Sequence, residues 1–244
     1  MKLYREHGIV LRTHKLGEAD RIVVLMTQGR GKVRAVAKGV RRTRSRFGGR
    51  LEPPSHLALQ LYEGRDLDTV TEVSSVDHFR PLHDHLDRMA DALALLEAVE
   101  AVAHQGQADP RLYDMLLGAL RALARARSPL LVAGFYWKLL ALEGAGPRLD
   151  RCAGCGAGDA ELVAFDLSEG GALCRSCRRG LAMSPGALAL VRRILEGDLA
   201  GALREPGGPL TSEVAELANQ ALESHLERRL RVVRMLDRSA MAPG

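Results

Sequence analysis

The chain has 244 residues, 46% hydrophobic and 27% charged, with a formal net charge of +5 and an isoelectric point near 9.3. That apolar content supports a packed core in one large or two smaller domains and excludes a disordered polymer. The basic balance makes a polyanion a fitting partner, while aromatic residues at 4% exclude an extended base-stacking platform.

The N-terminal third reads as β. Residues 7–13 form a first strand, and residues 20–27 carry Ile22, Val23, Val24, Leu25 and Met26, the continuous apolar run of a buried strand. Residues 28–31 are a turn. Residues 32–40 alternate, with Val33, Ala35 and Ala37 on one face and Arg34, Val36 and Lys38 on the other. Leu57, Leu59 and Leu61 keep a period of two, and residues 69–76 supply a fifth strand. Five short strands in about 80 residues fit a small barrel.

The long loop between the third and fourth strands is the most informative part of this third. From residue 38 to 50 it carries Lys38, Arg41, Arg42, Arg44, Arg46 and Arg50 and no acid. Arg30, Lys32 and Arg34 extend the charge along the preceding strand. Such a run repels itself unless an anion compensates it, and phosphates do so through counterion release. These nine residues are the expected nucleic-acid contacts. Phe47 offers one ring, either to stack a base or to staple the loop to the core. The arginine excess as such carries little weight: only Lys2, Lys15, Lys32, Lys38 and Lys138 are lysine, and gene composition produces the same bias.

Pro81 marks a change to helix. Residues 82–103 place Leu86, Met89, Leu93, Leu96 and Val99 at spacings of three and four. Asp109 and Pro110 open a second helix over 111–127, striped by Leu112, Leu116, Leu120 and Leu123. A third, 130–143, holds Phe135, Tyr136 and Trp137, and its apolarity suits a domain centre. After a cysteine-bearing module, residues 184–196 and 199–203 are helical. A last helix is expected over 213–231, with Leu217, Ala221, Leu222 and Leu226 on its apolar side. Arg228, Arg229, Arg231 and Arg234 sit near its end, where they suit the helix dipole.

All four cysteines fall in two CxxC pairs, Cys152 with Cys155 and Cys174 with Cys177, with eighteen residues between the pairs. This is the spacing of a four-cysteine zinc site. A redox pair needs only one CxxC, and disulfides need an oxidising compartment. Four thiolates leave no coordination position for water, and no His lies between Arg151 and Arg179, so a single ion here is structural. Arg148, Arg151, Arg175, Arg178 and Arg179 can offset the negative charge of the site. Between the pairs, residues 161–166 and 172–174 read as two strands joined by a hairpin turn.

No phosphate-binding GxxxxGK[ST], GxSxG or HExxH motif occurs. Asp84, Asp87 and Asp91 lie on one helical face with His83 and His85 near, a weak basis for a metal-dependent nuclease against the ordinary reading of a solvated face. The start of the chain has no secretory pattern. The most apolar segment, 130–142, is too short for a membrane span and contains Lys138, so the expectation is a cytoplasmic protein with no membrane partner.

These features together resemble the bacterial RecO family of recombination mediators. The resemblance is carried by residues 7–13 and 16–22, by the basic stretch 29–41 and by the two CxxC pairs. It implies an α+β multidomain chain in four parts. Residues 1–80 are an OB-type five-stranded β-barrel that binds nucleic acid. Residues 81–147 and 181–235 form an α-helical domain, with a four-cysteine zinc module inserted at 148–180. Residues 236–244 are a C-terminal tail. It further implies a non-enzymatic role in DNA repair through homologous recombination, in a nucleoid-associated cytoplasmic setting. The partners would be single- and double-stranded DNA, RecR, the C-terminal tail of single-strand-binding protein and, indirectly, RecA. Annealing of complementary strands is the expected activity. The rival reading is a zinc-ribbon RNA-binding or transcription accessory protein.

Overall fold

The computed structural model describes residues 2–231 apart from residues 44, 46 and 48. Residue contacts divide the chain into two compact units, Met1–Arg125 and Ala126–Gly244. The division falls after the third helix, so the first three helices share a unit with the barrel.

The first unit begins with β1 (Leu3–Leu16), β2 (Asp20–Thr27), β3 (Gly31–Ala37), β4 (His56–Tyr62) and β5 (Asp68–Asp77). They close a barrel in the order β1-β2-β3-β5-β4, with β4 returning to β1. Alternation sends Val33, Ala35, Ala37, Leu57, Leu59 and Leu61 inward, joining Val10, Val23, Leu25 and Val70 in one core. β1 is longer than the expected 7–13. Residues 3–9 pair with β4 and residues 8–16 with β2, and the β2 pairing shifts register between Val10 and Arg12. Ile9, Leu11, Val24 and Met26 are buried outside that core, and β1 touches the second helix. The apolar run of β2 is therefore continuous because both its faces are covered.

Three helices complete this unit: α1 (Arg80–His83), α2 (Leu86–Val102) and α3 (Pro110–Arg125). The single helix expected over 82–103 is broken at His85, whose backbone is extended, where buried Phe79 and Leu82 redirect the chain. The face of α2 is also rotated from expectation. Leu86 is 87% exposed and Leu93 36%, while Ala92, Leu95, Leu96, Val99 and Val102 are buried. Leu96 and Val99 are buried as expected, but α2 is apolar on most sides, so large-residue periodicity misplaces the first half of the stripe. The face of α3 is as expected, with Leu112, Leu116, Leu120 and Leu123 buried and Asp109 Oδ1 accepting from the Leu112 N–H at 2.9 Å. Tyr113 Oη lies 2.8 Å from His56 Nε2 and ties α3 to β4.

β3 pairs with β5 only at Ala35–Asp68 and Val36–Thr69. Its first residues pair instead with the α2–α3 linker. Lys32 N–H donates to His104 O, and Gly106 N–H donates to Lys32 O, both at 3.1 Å. Gly31, at φ +64°, is required here, because a Cβ would sit 1.8 Å from Gln107 O.

The second unit is built on α4 (Leu131–Leu142), whose Tyr136 and Trp137 are fully buried. Strands β6 (Leu162–Asp166), β7 (Gly171–Cys174) and β8 (Leu181–Ala182) form a small sheet in the order β7-β6-β8. α5 (Pro185–Glu196) is capped by the Ser184 hydroxyl, which accepts from Ala187 N–H at 3.1 Å. α6 (Leu199–Ala202) and α7 (Pro209–His225) follow. α7 starts earlier than expected, because Pro209 fits the first helical position. It ends earlier too. Glu227 takes φ +51°, and the chain turns to bury Leu230, whose N–H donates to Glu223 Oε1 at 2.7 Å. Arg228 and Arg229 thus lie past the helix, and Arg234 and the tail 236–244 lie outside the described residues. No helix among the described residues is long and apolar enough to cross a membrane.

Candidate nucleic-acid interface and metal centre

The two cysteine pairs converge. All four Sγ atoms lie within 4.8 Å of one another. Cys155 Sγ and Cys174 Sγ are 3.9 Å apart, close to the edge of about 3.8 Å expected for a tetrahedron with Zn–S near 2.3 Å. Local backbone builds this geometry. Gly156 takes φ +78° and donates to Cys152 O at 2.8 Å, and Ala153 N–H donates to Ala172 O at 2.8 Å, binding the first turn to β7. Cys152 and Cys174 are buried, Cys177 is half-buried and Cys155 is exposed.

The Cys174 N–H points at Cys152 Sγ at 3.4 Å. Together with the Cys155 N–H it pulls the Cys152 thiol down to about 6. Cys177 is pushed up to about 12 by its sharing of a proton with the sulfurs of Cys155, Cys174 and Cys152. Crowded sulfurs cannot all ionise unaided, and a divalent cation at their centre removes that obstacle. The donor set therefore fits a soft tetrahedral metal ion.

Four of the five surrounding arginines meet carboxylates, and Arg178 is exposed without an ion pair. Arg148 pairs with Glu169 at 3.9 Å, Arg151 with Asp150 at 2.9 Å, Arg175 with Glu161 at 2.8 Å and Arg179 with Asp166 at 2.9 Å. Only Asp150 is a sequence neighbour of its arginine; the other carboxylates lie 13 to 21 positions away and are brought in by the fold. Asp84, Asp87 and Asp91 form no metal-binding group with neighbours, and the cysteine cluster is the one such group among the described residues.

The basic residues of β3 and its following loop are held in different ways. Arg30 lies 3.8 Å above the centroid of the Tyr4 ring, with Nη1 3.3 Å from Glu63 Oε1. The Tyr4 hydroxyl donates to Asp68, and burial followed by that carboxylate raises its pKa. Lys32 Nζ donates to Glu100 O at 2.9 Å. Arg41 donates through Nη1 to Glu18 O at 2.9 Å, and Arg50 through Nη1 to Phe47 O at 3.2 Å. Arg34, Lys38 and Arg42 are exposed, and none forms an ion pair or a side-chain hydrogen bond. Arg44 and Arg46 lie outside the described residues.

Phe47 takes the second of its two expected roles. Its ring is 1% exposed and sits in the barrel core beside Leu51, so it anchors the loop and offers no face to a base. Sequence reasoning also missed Glu63, Glu100 and Tyr4 as partners of the basic strand. These contacts span 33, 68 and 26 positions, and only the closed barrel with α2 beside it brings them together. A cavity of about 270 Å³ opens beside Arg30, Lys32 and Arg34 and is also lined by Glu63, Asp66 and Asp68. Those carboxylates make it a poor phosphate site, which leaves the solvent side of Arg34, Lys38 and Arg42 as the favourable one.

A five-stranded barrel with a basic strand and loop, followed by helices and a cysteine-ligated centre, is the architecture that the comparison with known families supports. Residues 1–79 match the family model for the N-terminal domain of recombination protein O, and residues 83–234 match that for its C-terminal domain. The two matches account for nearly the whole chain, which therefore belongs to the RecO family of recombination mediators in DNA repair.

Proposed function

We propose that the chain binds the sugar-phosphate backbone of single- and double-stranded DNA through β3 and the loop after it, and anneals complementary strands without ATP. The observation that carries this is the set of exposed, unpaired cations at Arg34 on β3 and at Lys38 and Arg42 in the loop that follows it. Arg41, Arg44, Arg46 and Arg50 continue the same stretch of sequence, while Arg30 and Lys32 position the strand more than they contact phosphate. Contacts of this kind carry little base information, which suits a mediator acting on any sequence. The ion in the cysteine centre is Zn²⁺, held by Cys152, Cys155, Cys174 and Cys177. It fixes the fold of the second unit and takes no part in a reaction.

In this reading the chain works with RecR to replace single-strand-binding protein by RecA, and it meets the acidic tail of single-strand-binding protein directly. It acts in the cytoplasm on nucleoid DNA and catalyses no bond breakage. Two complementary fluorescent oligonucleotides, mixed with the protein and no nucleotide cofactor, test the reading. Annealing faster than the protein-free rate supports it, and tight RNA binding without annealing supports an RNA-binding accessory role instead.

A further inference from the structure

Annealing requires a grip on two polyanions at once, and the barrel strand supplies one. We propose that the outward face of α3 is a second phosphate-binding surface, which holds the complementary strand. This rests on the annealing reading above. The buried stripe Leu112, Leu116, Leu120 and Leu123 and the His56–Tyr113 hydrogen bond at 2.8 Å fix which way α3 faces. Opposite that stripe, Arg111, Asp114, Gly118, Arg121 and Arg125 are all exposed. At roughly 100° per residue they fall within an arc of about 80°.

Arg111, Arg121 and Arg125 form no ion pair or side-chain hydrogen bond. This contrasts with the second unit, where Arg148, Arg151, Arg175, Arg179 and Arg193 all have carboxylate partners. Asp114 is the only acid in the stripe. Arg111 and Arg125 are about 21 Å apart along the axis and Arg121 and Arg125 about 6 Å, a reach of a few nucleotides. Gly118 leaves the middle of the stripe flat, with nothing within 4 Å of where a Cβ would be, so a backbone can lie close to the helix there. The linker before α3 places Gln107 O against Gly31 at the start of β3. The stripe therefore begins four residues from the basic strand.

The full-length chain carrying Arg111→Gln, Arg121→Gln and Arg125→Gln is compared with the unchanged chain. Anisotropy with one labelled single strand and fluorescence annealing of two complementary strands are the readouts. Annealing should slow about tenfold or more, with a salt slope shallower by about 2, while affinity for one short strand changes less than about threefold. Gly118→Glu places a negative charge in the stripe and improves helix propensity, so it should slow annealing in a chain that melts no lower than before. Annealing at the unchanged rate in both variants overturns the proposal. Equal loss of single-strand affinity and annealing also overturns it, because the stripe would then belong to the first strand's site. An unchanged chain that binds DNA but does not anneal refutes the parent reading, and the second-strand role falls with it.

Discussion

Replacing Arg34, Lys38 and Arg42 together by Gln should remove about three phosphate contacts from the barrel surface. These three are exposed and carry no ion pair or side-chain hydrogen bond, so their loss breaks nothing in the folded chain. Each contact to a single strand contributes about −0.7 to the slope of log K against log salt, so the slope should become shallower by about 2 and affinity at 0.1 M salt should fall about 100-fold. Arg30→Gln is the informative contrast. It removes the stacking over Tyr4 and the pair with Glu63, interactions worth about 1 kcal/mol in total. That variant should melt a few degrees lower and keep nearly the original salt slope. The assay is fluorescence anisotropy on a labelled oligonucleotide across a salt series, beside thermal melts of each variant. An unchanged slope in the triple variant would refute the assignment, as would a slope change in Arg30→Gln equal to that of the triple variant.

Cys152→Ser should reduce bound zinc from about one equivalent to a small fraction after dialysis against a weak chelator, and lower the melting temperature; full zinc retention would contradict a four-sulfur centre. His56 is buried, and burial first, then Arg121 and His7, hold its pKa below 6.5. Its folded form therefore resists protonation that the unfolded chain accepts, so stability should be flat above pH 6.5 and fall below it, by at most about 1.4 kcal/mol per pH unit. Urea melts at pH 7.5 and 5.5 measure this, and Arg121→Gln should shrink the fall. Gly31→Ala forces a Cβ into Gln107 O and breaks the seam between β3 and the α2–α3 linker, so it should cost more than about 2 kcal/mol by chemical denaturation.

Much of the barrel is legible from the sequence because period-two alternation in β3 and β4 matches a wall with one dry face. The cysteine centre is legible from spacing alone, since two CxxC turns make a tetrahedron once they meet. The path of the chain after residue 80 is less so. The break at His85 depends on where Phe79 and Leu82 find burial, and the end of α7 on where Leu230 does, neither of which leaves a local signal. A charge run likewise does not reveal which cations are already engaged. Arg30 and Arg34 look alike in sequence, yet Arg30 is fastened to Tyr4 and Glu63 and Arg34 is not. The arginine stripe on α3 could have been found by plotting residues 111–125 on a helical wheel, since its spacing mirrors the leucine stripe.

The most direct test of a phosphate-gripping barrel is equilibrium binding of the purified full chain to an unstructured single strand as salt is raised from about 0.02 to 0.3 M. Tight binding at the low end that weakens linearly on a log–log plot is the expected result. Absence of binding at the lowest salt, in a chain shown to be folded and metal-loaded, would contradict the account.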